Sequence, residues 1–173
     1  MPLADDRRLP DELTAVAAIG FDYAEGDGVD FEPFDEFLTA EDTTHWLRAW
    51  TGNTALDGDA FRVFGQDGTG GYAAFWLVRP EHQLADQPVV FLGSEGETGV
   101  VACDLPDYLW LLADGFGPYE AVQYPDRAAR PNAELRQIAE LYAPARARSA
   151  REVIAAAQAA FPHFEDTIAG ICR

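Results

Sequence analysis

Residues 61–80 read FRVFGQDGTGGYAAFWLVRP, and residues 88–103 read PVVFLGSEGETGVVAC. Phe61 and Val63 alternate with a polar residue, whereas residues 72–78 are apolar on both faces, as is typical of a central strand. The apolar runs 88–93 and 98–103 are separated only by the polar stretch SEGE. Consecutive strands joined in this way predict an antiparallel meander.

The glycines that follow Gln66 raise the question of whether this turn holds a phosphate. Gly68, Gly70 and Ala73 match a dinucleotide-binding pattern, but that pattern requires a helix N-terminus directly after it. A strand ending at Pro80 follows instead, which favours a hairpin turn in which Gly70 and Gly71 are free to take positive φ. We predict structural turns at these and related glycines: Gly68, Gly70, Gly71, Gly93 and Gly115.

Helices are predicted before and after the meander. A first helix fits between Pro10 and Gly20, and a second begins after Thr39, whose hydroxyl can cap it, and ends at Gly52. Trp46, Leu47 and Trp50 lie on one face of the second helix, which we expect to be buried. Any strand formed near Val29 and Phe31 is limited to an edge or an end by Pro33.

The second half of the chain is predicted to be mainly helical. Asp104 caps a helix that ends at Gly115, residues 116–131 contain three prolines and indicate a loop, and helices follow at 133–142 and 149–160. The predicted domains are an α+β domain over 1–125 and C-terminal helices over 126–173 that pack on the same domain.

The formal net charge is −18, and it is unevenly distributed. Residues 1–120 contain 24 acidic and 5 basic side chains, whereas residues 121–173 contain 6 and 7. Such a surface repels nucleic-acid phosphates and anionic membranes, so we expect no direct contact with either. It either keeps the protein soluble or attracts a basic partner.

Cysteine usage and the first residues predict a cytoplasmic protein. Cys103 and Cys172 are the two cysteines, too few for a secreted disulfide scaffold. Residues 1–13, MPLADDRRLPDEL, lack a basic start followed by an apolar stretch, so no secretory signal is expected. The longest apolar run, residues 73–78, is far too short to cross a bilayer.

No pattern in the sequence indicates catalysis, a metal or a cofactor. His45, His82 and His163 are far from one another and from the cysteines, so no zinc spacing occurs. Carboxylates near residues 22–32 fit no frame of a calcium-binding EF-hand. Ser94 lies in LGSEG, but a strand follows it where a nucleophile elbow needs a helix. We therefore expect a non-enzymatic protein without cofactors.

The segment 61–118 resembles the SUKH superfamily. The residues that carry the resemblance are the glycine-containing hairpin, the FLGSEGE turn, the short strand after it and the helix DLPDYLWLL, in this order. The resemblance covers about one third of the chain. The superfamily includes bacterial immunity proteins and proteins of the fungal cell-wall regulator type.

The resemblance implies an α+β fold with a single curved, mainly antiparallel sheet flanked by helices, here with a C-terminal helical extension. It also implies no catalytic residues and a role in binding a basic protein partner, a nuclease-type toxin in the most specific version. A regulatory or scaffold protein of the same fold without a toxin, and an enzyme with an unrecognised carboxylate site, remain open. The predicted partner-binding carboxylates are Asp27, Asp30, Glu32, Asp35, Glu36, Glu41 and Asp42.

Overall fold

The predicted meander forms the centre of the computed structural model, which describes residues 6–173. Residues 1–5, on which part of the expectation about a secretory signal rests, lie outside the described residues. Within the described part, five strands pair antiparallel in the order β1-β2-β3-β4-β5. Their bounds are β1 Glu32–Pro33, β2 Phe61–Gln66, β3 Tyr72–Trp76, β4 Val89–Leu92 and β5 Thr98–Ala102.

The strand order follows directly from the chain order, because each strand pairs with the next one along the sequence. Val63 lies opposite Ala74, Tyr72 opposite Leu92, and Val90 opposite Val100. The register of β2 shifts between Val63 and Gly65, which marks a bulge. Pro33 lies in the edge strand β1, where its missing N–H costs no ladder hydrogen bond.

Helices accompany this sheet, and together they confirm the predicted α+β fold. The first, second, third, fifth and sixth helices agree with the sequence-based bounds to within a residue or two. The helices of the described residues are α1 Asp11–Ile19, α2 Ala40–Thr51, α3 Leu105–Ala113, α4 Pro118–Gln123, α5 Ala133–Tyr142, α6 Ala150–Ala160 and α7 Phe164–Ile171.

Two features of the second half differ from the sequence-based prediction. The segment 116–131 is not a loop throughout, because α4 begins at Pro118, where proline is well accommodated in a first turn. Pro125 follows shortly after the end of α4 and disfavours its continuation. A further helix, α7, follows α6 and buries Phe164 and Ile168, which lie four positions apart.

The sheet is covered on both faces, which explains why its central strands β3 and β4 are apolar on both sides. On one face, Phe64, Phe75 and Phe91 pack in a core with residues of α1, α3 and α5. On the other face, Val63 and Val90 pack in a second core with residues of α2, α6 and α7. Central strands buried on both sides lose the usual alternation of apolar and polar residues.

The C-terminal helices pack against the rest of the chain: α5 against α1 and α3, α6 against β5 and α3, and α7 against β5.

In α2, Leu47 is buried, whereas Trp46 and Trp50 are half-buried and stack with their ring centroids 5.2 Å apart. Among the described residues, no helix has the length and apolar character needed to span a membrane.

Candidate functional site

The arginines of this chain are used within the protein. All twelve arginines lie in the described part of the chain. Each is within hydrogen-bond or ion-pair distance of an oxygen atom of another residue of the same chain. Those that contact carboxylates are Arg7, Arg8, Arg130, Arg136, Arg146, Arg148 and Arg151. Those that donate to backbone carbonyls are Arg48, Arg62, Arg79, Arg127 and Arg173.

The carboxylates, by contrast, are mostly uncompensated. Of those between residues 6 and 173, most have no arginine or histidine within ion-pair distance. Several tail arginines contact the acidic first part of the chain, for example Arg130 with Asp27 and Arg127 with the carbonyl oxygen of Gly28. The net negative charge therefore resides mainly in exposed carboxylates, which act on charged partners over about a Debye length.

The first three predicted binding carboxylates already have partners in the fold. Asp27 pairs with Arg130 at 3.3 Å, and Asp30 accepts a 2.8 Å hydrogen bond from the amide of Gly68. The carboxylate of Glu32 accepts from the side-chain amide of Gln66 at 3.1 Å. These contacts fasten the acidic segment to the β2–β3 hairpin and to the tail.

The other four predicted carboxylates follow β1. Glu36 pairs with Arg7 at 2.9 Å. Asp35 is exposed, as are Glu41 and Asp42 in the first turn of α2, and none of these three has a cation partner among the described residues. Only part of the predicted set is therefore free to pair with a partner.

Glu120 is a buried carboxylate that sequence reasoning missed. It lies on α4, is 3% exposed, and accepts hydrogen bonds from the amides of Asp30 at 3.0 Å and Gly117 at 3.1 Å. Burial raises the pKa of Glu120, and the hydrogen bond from the Asp30 amide opposes this rise. The local signal was Gly117-Pro118 followed by Glu120. In this pattern the glutamate side chain accepts a hydrogen bond from the backbone amide that precedes the helix.

Asp107 is a second buried carboxylate, and it lies in the first turn of α3. Its side chain is fully buried and pairs with Arg146 at 2.9 Å and with Arg148. Burying a carboxylate is costly unless it is paired and hydrogen-bonded, and both conditions are met here. The two arginines lie 39 and 41 positions after Asp107, so local sequence spacing did not predict the contact.

The glycine-rich turn between β2 and β3 is a hairpin, as predicted, and its amides are occupied. The Gly68 amide donates to Asp30, those of Thr69 and Gly71 donate to the Asp67 carboxylate, and that of Gly70 donates to the Asp67 carbonyl. No amide of residues 68–71 is left to hold a phosphate. Of the two glycines that are free to take positive φ, Gly70 does so and Gly71 does not.

The other predicted turn glycines have two different roles. Gly115 takes a φ of +83° at the end of α3. Gly68, Gly71 and Gly93 do not take positive φ but lie where a Cβ would meet close neighbours, such as Glu97 beside Gly93.

The histidines His45, His82 and His163 are exposed. Among residues 6–173, no group of three or more His, Cys, Asp or Glu side chains is arranged to hold a metal ion. Comparison with protein-family models, with curated proteins and with solved structures finds no match to this chain.

Proposed function

We propose that this chain is a non-enzymatic, SUKH-like binding module that recognises a basic protein through its acidic surface. In the most specific form of the proposal, it is an immunity protein that neutralises a cognate toxin of the nuclease type. The proposal combines the sequence resemblance of residues 61–118 with the distribution of charged contacts in the fold.

The observation that carries the proposal is the asymmetry between arginines and carboxylates. Each arginine contacts an oxygen of the same chain, while most carboxylates have no cation within ion-pair distance in the described residues. A basic partner would supply the missing cations, and complementary charge accelerates encounter and selects the partner. Asp35, Glu41 and Asp42 are the members of the predicted set whose carboxylates are free for such contacts.

The environments of the three buried carboxylates argue against a catalytic role. Asp67 accepts hydrogen bonds from the amides of Thr69 and Gly71 within its own turn. Asp107 is paired with two arginines, and Glu120 accepts hydrogen bonds from two backbone amides. Each therefore has a structural role that accounts for its position. An enzyme with an unrecognised carboxylate site is the weaker alternative for this reason.

The proposal is tested by capturing partners from the native cell lysate at about 50 mM and about 500 mM NaCl, since salt screens surface charge. A captured basic protein is then purified and its activity measured with and without this chain. Capture at low salt, weaker capture at high salt and stoichiometric loss of the partner's activity would support the proposal. Partners that bind equally at both salt concentrations would contradict it.

Co-expression separates an immunity protein from a regulator of the same fold. Cells that produce the captured partner should survive when this chain is co-expressed and stop growing when it is absent. A captured partner that is harmless to the cell would favour the regulatory alternative.

A further inference from the structure

An open cavity of about 800 Å³ lies between the β4–β5 turn and helices α4 and α7. Its volume is within the range of about 300–1,000 Å³ that is typical of ligand sites. We call it the Trp50 groove, after the α2 side chain that lines it. Its apolar lining includes Trp50, Val122 and Ile168, and its acidic lining is Glu95, Glu97 and Glu165.

Gly93 lies between two sides of the Trp50 groove. The indole N–H of Trp50 donates to the carbonyl oxygen of Gly93 at 2.7 Å. The side chain of Glu97 lies directly against Gly93, since a Cβ at this position would be 2.1 Å from Oε1 of Glu97. The indole ring and the carboxylate therefore both lie against the same residue, which begins the β4–β5 turn.

The charged residues that line the groove are all carboxylates. No arginine or histidine is among its described lining residues. Glu95, Glu97 and Glu165 have no ion pair and no side-chain hydrogen bond to other described residues. In the segment 27–42, by contrast, Asp27, Asp30, Glu32 and Glu36 already have partners within the chain.

We propose that the Trp50 groove binds an extended, arginine- or lysine-rich segment of a partner protein. The apolar lining suits the aliphatic stems of such side chains, and the indole of Trp50 suits a guanidinium group. The three glutamates supply acceptors for the charged ends. This inference rests on the proposed function in one respect only, that the partner is basic.

The first test uses an octa-arginine peptide as the probe and a ¹⁵N-labelled sample of the full chain for NMR. The indole N–H of Trp50 and the amides of residues 94–98 should shift as the peptide is added, while the amides of residues 35–42 should shift little. A Trp50→Phe variant assigns the indole signal. Shifts confined to residues 35–42, or spread evenly over acidic segments, would overturn the assignment.

The second test compares two triple variants that remove the same charge. The groove set is Glu95→Gln, Glu97→Gln and Glu165→Gln, and the comparison set is Asp35→Asn, Glu41→Gln and Asp42→Asn. At low salt, each substitution in the groove set should weaken octa-arginine binding about two- to threefold, because it removes one partly exposed ion pair. The three substitutions together should weaken binding about tenfold. The comparison set should lose about twofold, because Glu41 shares its surface with Arg48, which repels the probe.

The outcomes separate this inference from the proposed function. A natural basic partner whose binding is reduced by the comparison set but not by the groove set would overturn the groove and leave the proposed function intact. Octa-arginine binding in the groove without any natural basic partner would support the groove and contradict the proposed function. Self-association that the groove set abolishes would assign the groove to a second copy of the chain and overturn the inference.

Discussion

The carboxylate of Asp107 accepts a 2.9 Å hydrogen bond from Arg146, a residue 39 positions later in the chain. Asp107 lies in the first turn of α3, directly after the meander, while Arg146 lies between α5 and α6. Arg148 contacts the other oxygen of the same carboxylate. The contact thus ties the C-terminal helices to the sheet domain through one buried acid.

Because two arginines share Asp107, their removal should not be additive. Arg146→Met or Arg148→Met alone should lower the free energy of unfolding by about 1 kcal/mol, since one charged hydrogen-bonding partner remains. The double variant should cost about 3–5 kcal/mol, because the buried carboxylate then has no cation. Urea denaturation measures all three. Arg8→Met, which breaks an exposed pair with Asp11, is the control and should cost less than about 0.5 kcal/mol. Additive single effects would contradict the shared role.

Gly115 should tolerate alanine much less well than Gly70. Both take positive φ, which costs an alanine about 1–2 kcal/mol. At Gly115 the added Cβ would also lie 2.2 Å from the carbonyl oxygen of Arg130, so the backbone must shift at a further cost of about 1–3 kcal/mol. Nothing lies within 4 Å of such a Cβ at Gly70. Equal losses of unfolding free energy in Gly115→Ala and Gly70→Ala would show that this close approach is unimportant.

Glu120 should make a pH-dependent contribution to stability. Because burial raises its pKa in the folded state, its contribution is complete below the unfolded pKa of about 4.3 and is lost as pH rises through the folded pKa. The difference in unfolding free energy between the wild type and Glu120→Gln should therefore fall as the pH rises from about 4 to about 7.

Glu152 provides a control of opposite sign. The backbone hydrogen bond from Ser149 lowers the pKa of Glu152, so its contribution is present above the unfolded pKa and is lost as pH falls through the folded pKa. The difference between the wild type and Glu152→Gln should rise with pH. If both differences change in the same direction, the assignment of the Glu120 shift to burial is wrong.

The two thiols should react at different rates. Cys172 is exposed, whereas burial and the nearby charges of Asp107 and Asp104 raise the pKa of Cys103. Since the thiolate is the reactive form, a disulfide reagent such as DTNB should modify Cys172 in a fast phase and Cys103 in a slow phase of equal amplitude. Cys172→Ser should retain only the slow phase. A single fast phase that accounts for both thiols in the folded wild type would contradict the structure.

Much of the fold could be predicted because its signals are local. Each strand of the meander pairs with the next one along the chain, so the apolar runs and the polar turns between them specify the pairing. Thr39 and Asp104 cap helices where the sequence indicated, and the helix predicted from residue 149 is capped by Ser149. Helix α4 was missed because the three prolines of the segment 116–131 indicated a loop, although Pro118 at the first helical position is favourable.

The candidate sites were harder to predict because their contacts join distant parts of the chain. The Glu120 carboxylate accepts a hydrogen bond from the amide of Asp30, 90 positions away. The Trp50 indole N–H donates to the carbonyl oxygen of Gly93, 43 positions away. A count of charges identified an acidic protein, but it did not show which carboxylates the arginines already compensate.

Hydrophobic periodicity, capping residues and turn glycines therefore specify the antiparallel sheet and most of its helices, since these depend on neighbours a few residues apart. Which acids are buried, which are paired and which remain free around the Trp50 groove depends on how the tail folds back over the sheet. Charged contacts of this kind act through space, and their partners become neighbours only once the chain has folded.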